Sequence, residues 1–224
     1  MLLPAMVMLL ALPAHAAWGD ALKQAGTTLA DEQATAAGLS FTPTQAMSGV
    51  REVLSMGTDS AVATLGSDGG FAEASPFGID LPDILSGMPG TGGLTSLMNT
   101  AAETAVVPTD ELFKTAINDL DASDPTALVS GGSRAITKYF ESSSRDRLKT
   151  LAKPLVGRAL DTAGVSGYAG AVAAASQAAG APFDMEGYVT DAMLDSMFEL
   201  IGQKEESIRA GGVEGASQLL RTLF

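Results

Sequence analysis

Residues 185–209 read MEGYVTDAMLDSMFELIGQKEESIR. Val189, Met193, Met197, Leu200/Ile201, Lys204 and Ile208 fall in step along this stretch. That three-and-four interval gives one face of an α-helix to a core. Gly211-Gly212 follow as its stop. A second stretch of the same kind lies near the other end of the chain. Thr42-Pro43 supplies an N-cap and a proline at the first helical position. Ala46, Val50, Val53/Leu54, Gly57, Ala61 and Leu65 then recur at helical spacing, and Gly66–Gly70 ends them.

Between these two helices the spacing predicts several more. Leu94–Val107 reads as a helix that Pro108 interrupts, and Thr109–Leu120 continues it. Asp124-Pro125 starts a short helix ending at Gly131-Gly132, and Ser133 caps another over Arg134–Glu141. Ser142-Ser143-Ser144 separates that one from a basic helix, Arg145–Ala163, which Pro154 should kink. Gly164–Gly180 reads as a helix of small residues, and Glu214–Leu223 as a final short one. Phe71–Gly93, with Pro76, Pro82, Pro89 and several glycines, reads as a long connection with one turn at Pro82–Leu85. Val, Ile, Trp and Tyr are sparse while Ala, Gly, Leu and Ser dominate, which favours helices packed through small residues over sheets. The expected fold is all-α: a single-domain multi-helix bundle over 42–224, with a Gly/Pro-rich connection at about 66–93.

Residues 1–16 read as an export signal: an apolar run from Met1 to Leu12, Pro13, then the small-x-small site Ala14-His15-Ala16. About 12 apolar residues are too few to cross a bilayer, which needs roughly 20. Cleavage near Ala16/Ala17 would leave a periplasmic chain with a weakly structured leader at 17–41 and no stable membrane insertion. The chain has no cysteine and one histidine, His15, inside the expected signal. The mature chain would therefore lack Ser-His and Cys-His triads, disulfides and imidazole metal ligands. No metal site and no cofactor are expected.

The formal net charge is −13, which repels nucleic acid and anionic lipid. It is unevenly spread. Seven of the 13 basic residues, Arg134, Lys138, Arg145, Arg147, Lys149, Lys153 and Arg158, stand within residues 134–158. Internal pairing with the acidic N-terminal half is the expected use of this run.

Four motifs carry polar chemistry. Ser130-Gly131-Gly132-Ser133-Arg134 opens a helix, where backbone N–H groups can meet an anion and Arg134 and Lys138 add charge one turn apart. Punctuation between two helices explains the same glycines. The acidic string Asn118–Asp124 suggests calcium, but the loop template wants Gly where Asp124 stands and Glu where Ser130 stands, so Asp124 is better read as an N-cap. Asn99 and Glu103 lie one turn apart among small or apolar residues. If buried they need partners, and Arg134 and Arg209 are the cations in view for Glu103. Glu205-Glu206 is a carboxylate pair, but helical neighbours point about 100° apart and do not converge on one bond. Gly131, Gly132, Arg134, Lys138, Tyr139, Asn99, Glu103, Tyr188 and Arg209 are the candidate ligand-binding residues, with no catalytic residue assigned.

Several segments together resemble one family. They are GIDLP at Gly78–Pro82, MNTAAETAV at Met98–Val106, LVSGGSRAITKYF at Leu128–Phe140, GYVTDAMLDSMFELI at Gly187–Ile201, EESIR at Glu205–Arg209 and LLRTLF at Leu219–Phe224. The chain is similar over most of Val50–Phe224 to the bacterial domain-of-unknown-function family 4197, exported all-helical proteins. The resemblance implies fold and compartment and carries over no activity. Two functional expectations stand side by side. One is a periplasmic non-enzymatic binding or scaffolding protein for a hydrophobic small molecule or an envelope protein, suggested by Gly164–Gly180 and ten methionines. The other is a hydrolase or lyase using Glu103, Tyr139, Lys138 or Arg134.

Overall fold

The computed structural model describes residues 41–72, 75–89, 91–180, 182–212 and 216–224, together with Thr28. The expected signal at 1–16 and, apart from Thr28 and Phe41, the expected leader at 17–41 lie outside the described residues. Among the described residues there are helices and no strand. They are α1 (Pro43–Leu65), α2 (Leu94–Asn118), α3 (Pro125–Val129), α4 (Ala135–Ala163), a 3-10 turn (Val165–Tyr168), α5 (Ala169–Ala179), α6 (Met185–Arg209) and α7 (Gln218–Leu223).

Four long helices build the core. α1 packs on α2 and α6, and α4 packs on the other sides of α2 and α6, so the four stand in the cyclic order α1, α2, α4, α6. Neighbours run antiparallel. Lys114 of α2 reaches Asp59 of α1, and Gly66, just past the end of α1, lies against Val107. Arg147 of α4 meets Asp119 just past the end of α2. Lys149 and Lys153 of α4 meet Asp191 and Asp184 at the start of α6, whereas Arg134 meets Glu199 and Glu206 near its end. This is an up-down-up-down bundle. Its centre holds Phe113 of α2, Phe140 of α4 and Phe198 of α6, with ring centroids 5.5 to 6.0 Å apart in tilted or edge-on pairs.

α1 begins as expected. Thr42 accepts from the Gln45 N–H, and the Gln45 side chain returns to the Thr42 N–H, closing a capping box around Pro43. Two expected breaks do not occur. α2 runs on through Pro108, and α4 is one helix from Ala135 to Ala163 through both the serine triplet and Pro154. Burial of Phe140, Ser144 and Leu148 carries the helix through the serines, whose hydroxyls are satisfied by carbonyls one turn back: Ser142 by Tyr139, and Ser143 and Ser144 by Phe140. Around Pro154, Leu148, Ala152 and Val156 are buried, and that packing outweighs one missing main-chain bond. The small-residue helix is also shorter than expected, since the 3-10 turn occupies its first residues. The last helix begins at Gln218, capped by Ser217, rather than at Glu214, which lies outside the described residues.

The connection between α1 and α2 is tied down. Phe71, Ile79 and Leu85 are buried, and Pro82 O accepts from the Leu85 N–H in the expected turn. Asn99 of α2, itself buried, accepts from the Ile79 N–H at 2.7 Å and donates to Ile79 O at 3.2 Å. One side-chain amide thereby satisfies both main-chain groups of a residue that has no helix to serve it. No helix among the described residues is long and apolar enough to cross a membrane.

Candidate functional site

The chain concentrates polar contacts at one end of the α4–α6 pair and an open cleft at the other. At the first end, Glu205 is fully buried. Its carboxylate accepts from the Ile136 N–H at 3.1 Å, the Thr137 N–H at 2.8 Å and the Thr137 hydroxyl at 2.7 Å. The first turn of α4 has orphan N–H groups and no side-chain cap of its own. Glu205 serves as that cap from another helix, where the dipole favours an anion. Arg209, one turn further along α6, donates to Glu205 and also to Val129 O at 2.6 Å and Leu128 O at 2.9 Å. Those are terminal carbonyls of α3. Its guanidinium lies 4.7 Å from the Phe224 ring centroid. A carboxylate and a guanidinium therefore clasp α3, α4, α6 and the C-terminal residue around the Ser130–Ser133 turn.

Arg134 lies outside this clasp. It forms a two-pronged bond with Glu199 and also meets Glu206, 2.9 Å away. Its side chain crosses α6 at Gly202, where a Cβ would stand 3.0 Å from Arg134 Cδ. The two carboxylates raise the Arg134 pKa, and Arg134 holds both of them below their usual range. The pairing continues down the interface. Arg145 meets Glu141 and Asp195, Lys149 meets Asp191, and Lys153 meets Asp184. Lys153 and the Gly187 N–H hold the Asp184 carboxyl low. The basic run thus pairs mainly with α6 rather than with the acidic N-terminal half. The reason is geometric: charges at four-residue steps on two antiparallel helices face one another along the seam.

The ladder sets a pH dependence. Glu199, Glu206 and Asp184 titrate lower in the folded than in the unfolded chain. Their contribution is complete above the ordinary carboxylate range, about pH 4, and is lost as pH falls through their folded values. Melting followed by circular dichroism should show that acid loss. Arg134→Ala should show a shallower loss at its two rungs. These partners are partly exposed, so 1 M salt should weaken the effect. An acid limb identical in the variant would contradict the assignment.

At the other end, α4, the 3-10 turn, α5 and the start of α6 surround a cleft of about 330 Å³. Leu160, Val165, Val172 and Met185 give it an apolar lining, and Asp161 and Glu186 stand on it as carboxylates. α5 is loosely seated. Of its residues only Ala175 is buried, and the Tyr168 hydroxyl moors its base to Gly92 O at 2.7 Å. A second groove of about 290 Å³ lies between α2 and α4 beside Pro108 and Arg158.

The sequence-predicted residues do not gather in one place. Gly131 is hemmed in, with Ala127 O 3.0 Å from where a Cβ would be, whereas Gly132 faces open space. Lys138 is exposed and one turn away from the Arg134 contacts. Tyr139 donates to Asp121 O and Tyr188 to Asp80 O, so both fasten connections. Burial and the nearby Asp80 and Asp83 raise the Tyr188 pKa. Glu103 is not paired with Arg134 or Arg209: it accepts from the Phe71 N–H at 3.0 Å, because the α1–α2 connection, not a cation, covers that face of α2. The acidic string is likewise structural. Asp124 caps α3 through the Ala127 N–H, and Asp119 pairs with Arg147. No group of three or more possible metal-ligating side chains occurs among the described residues. Sequence reading missed Glu199, Gly202 and the cleft. Glu199, Gly202 and Glu206 share one helical face, and that acid–glycine–acid spacing was the available signal.

A family model described as a protein of unknown function (DUF4197) matches residues 40–224. No curated protein matches the chain, and no solved structure does.

Proposed function

We propose that this chain, which belongs to the DUF4197 family, works in the periplasm as a non-enzymatic binding protein that holds a small hydrophobic molecule in the cleft beneath α5. The observation that carries this reading is the apolar cleft of about 330 Å³ beside a helix that buries only Ala175. That volume lies at the small end of ligand sites, roughly 300–1,000 Å³. A loosely seated wall can adjust to an occupant without disturbing the packed core. The polar residues support a binding role over catalysis. Glu103, Tyr139 and Arg134 are each tied to a different element, at Phe71, Asp121 and Glu199, and Glu205 and Arg209 direct their polar atoms to each other and to main-chain groups of the clasp. A hydrolase or lyase would need them to converge on a shared space. The periplasmic part rests on the export signal at residues 1–16.

Titrating the protein with 1-octanol while following the Met185 methyl resonance tests the binding reading. A saturable shift at Met185 is expected, and Val172→Asp should remove it with little change in melting because Val172 is only partly buried. Shifts that fail to saturate, or that persist in Val172→Asp, would refute the cleft as the site. For the compartment, N-terminal sequencing of chain taken from the periplasmic fraction should begin near Ala17, and retention of Met1 would refute export with cleavage.

A further inference from the structure

We infer that the occupant of the cleft is a cation: a molecule with an apolar body and an ammonium group that binds between Glu186 and Asp161. This rests on the cleft being the binding site. Basic residues on α4 recur every fourth position at Arg145, Lys149 and Lys153, each opposite an acid on α6. The next position in that series is Gly157. The acid facing it is Glu186, whose carboxylate oxygen lies 3.1 Å from where a Gly157 Cβ would be. The acidic half of the rung is present and the basic half is missing, at the mouth of an apolar cleft that both residues line. Lys153 is near enough for its pKa to be raised by Asp184 first and by Glu186 less, but its ammonium is bound to Asp184 at 2.6 Å. Among the described residues neither Glu186 nor Asp161 has a side-chain hydrogen bond or ion pair.

Asp161 adds to the same field. It stands in the last turn of α4, where the helix dipole already concentrates negative charge and an acid is unfavourable without a cation. Two unmatched carboxylates, a helix C-terminus and a chain of net charge −13 all favour a cation at this mouth. The lining of Leu160, Val165, Val172 and Met185 favours an apolar body behind it. With no side chain at position 157, the Glu186 carboxylate lies against the α4 backbone at the cleft mouth, exposed and open to an ammonium group.

Octylammonium, 1-octanol and octanoate share one apolar chain and differ in charge, so titrating the full chain with each, by the Met185 methyl shift, separates the terms. Octylammonium should bind at least tenfold more tightly than octanol, and octanoate most weakly. Glu186→Gln and Asp161→Asn should each erode the advantage of the amine over octanol several-fold. Gly157→Lys, which supplies the missing rung from within, should abolish that advantage. Equal binding of amine and alcohol, or tightest binding of octanoate, overturns the cation while the cleft stands as an apolar site. Failure of all three probes to saturate overturns the cleft reading and the cation with it.

Discussion

Glu205→Ala should cost the protein about 3–5 kcal/mol of stability, the scale of breaking a buried ion pair from one side. The carboxylate is fully buried and accepts from two main-chain N–H groups, a hydroxyl and a guanidinium. Its removal leaves the first turn of α4 uncapped and the Arg209 charge, only 13% exposed, without its acid. Glu205→Gln keeps the shape and an acceptor oxygen, so it should recover part of the loss. Glu206→Ala, one residue on and facing the solvent side of Arg134, should cost far less. Urea unfolding of the three variants checks the order. A loss below about 1 kcal/mol for Glu205→Ala would mean that the clasp contributes no more than an ordinary surface pair.

Phe113→Ala is the second large effect, expected at about 3–5 kcal/mol. The ring is fully buried and touches Phe140 and Phe198, so three of the four long helices meet on it. Truncation removes apolar burial and leaves a void that neighbouring rings on stiff helices cannot fill. A double-mutant cycle with Phe140 should return a coupling of about 0.5–1.5 kcal/mol for the edge-on pair. Additive losses would show that the rings only fill space.

The fold was legible where one helix face alone carried the signal. α1 and α6 show their buried stripe directly, and the Thr42-Pro43 start follows from capping chemistry. Pro108 and the serine triplet misled because local preference favours a break there, while buried neighbours hold the helices together. The polar residues were legible as groups in need of partners, but not as to which partners. Arg134 was expected to find a carboxylate on another helix. It found Glu199 and Glu206 rather than Glu103, since only the packed bundle decides which faces meet. Glu205 and Glu206 look alike in sequence, yet a turn of about 100° sends one into the interior and the other to the surface. The cleft left one trace in the sequence: a glycine where a four-residue series of cations should continue.

The clasp and the cleft occupy opposite ends of one rigid rod. α4 has 29 residues, so roughly 43 Å of helix separates its ends at 1.5 Å per residue. The buried fastening of Glu205 with Arg209 is at the Arg134 end, and the ladder of ion pairs stops at Lys153, one turn before Gly157. The α4–α6 seam is built like a zip stitched shut at one end and left unsewn at the other. If the cleft takes the proposed guest, its opening would act first on the turns beyond Lys153, which carry no rung of the ladder, and not on the clasp.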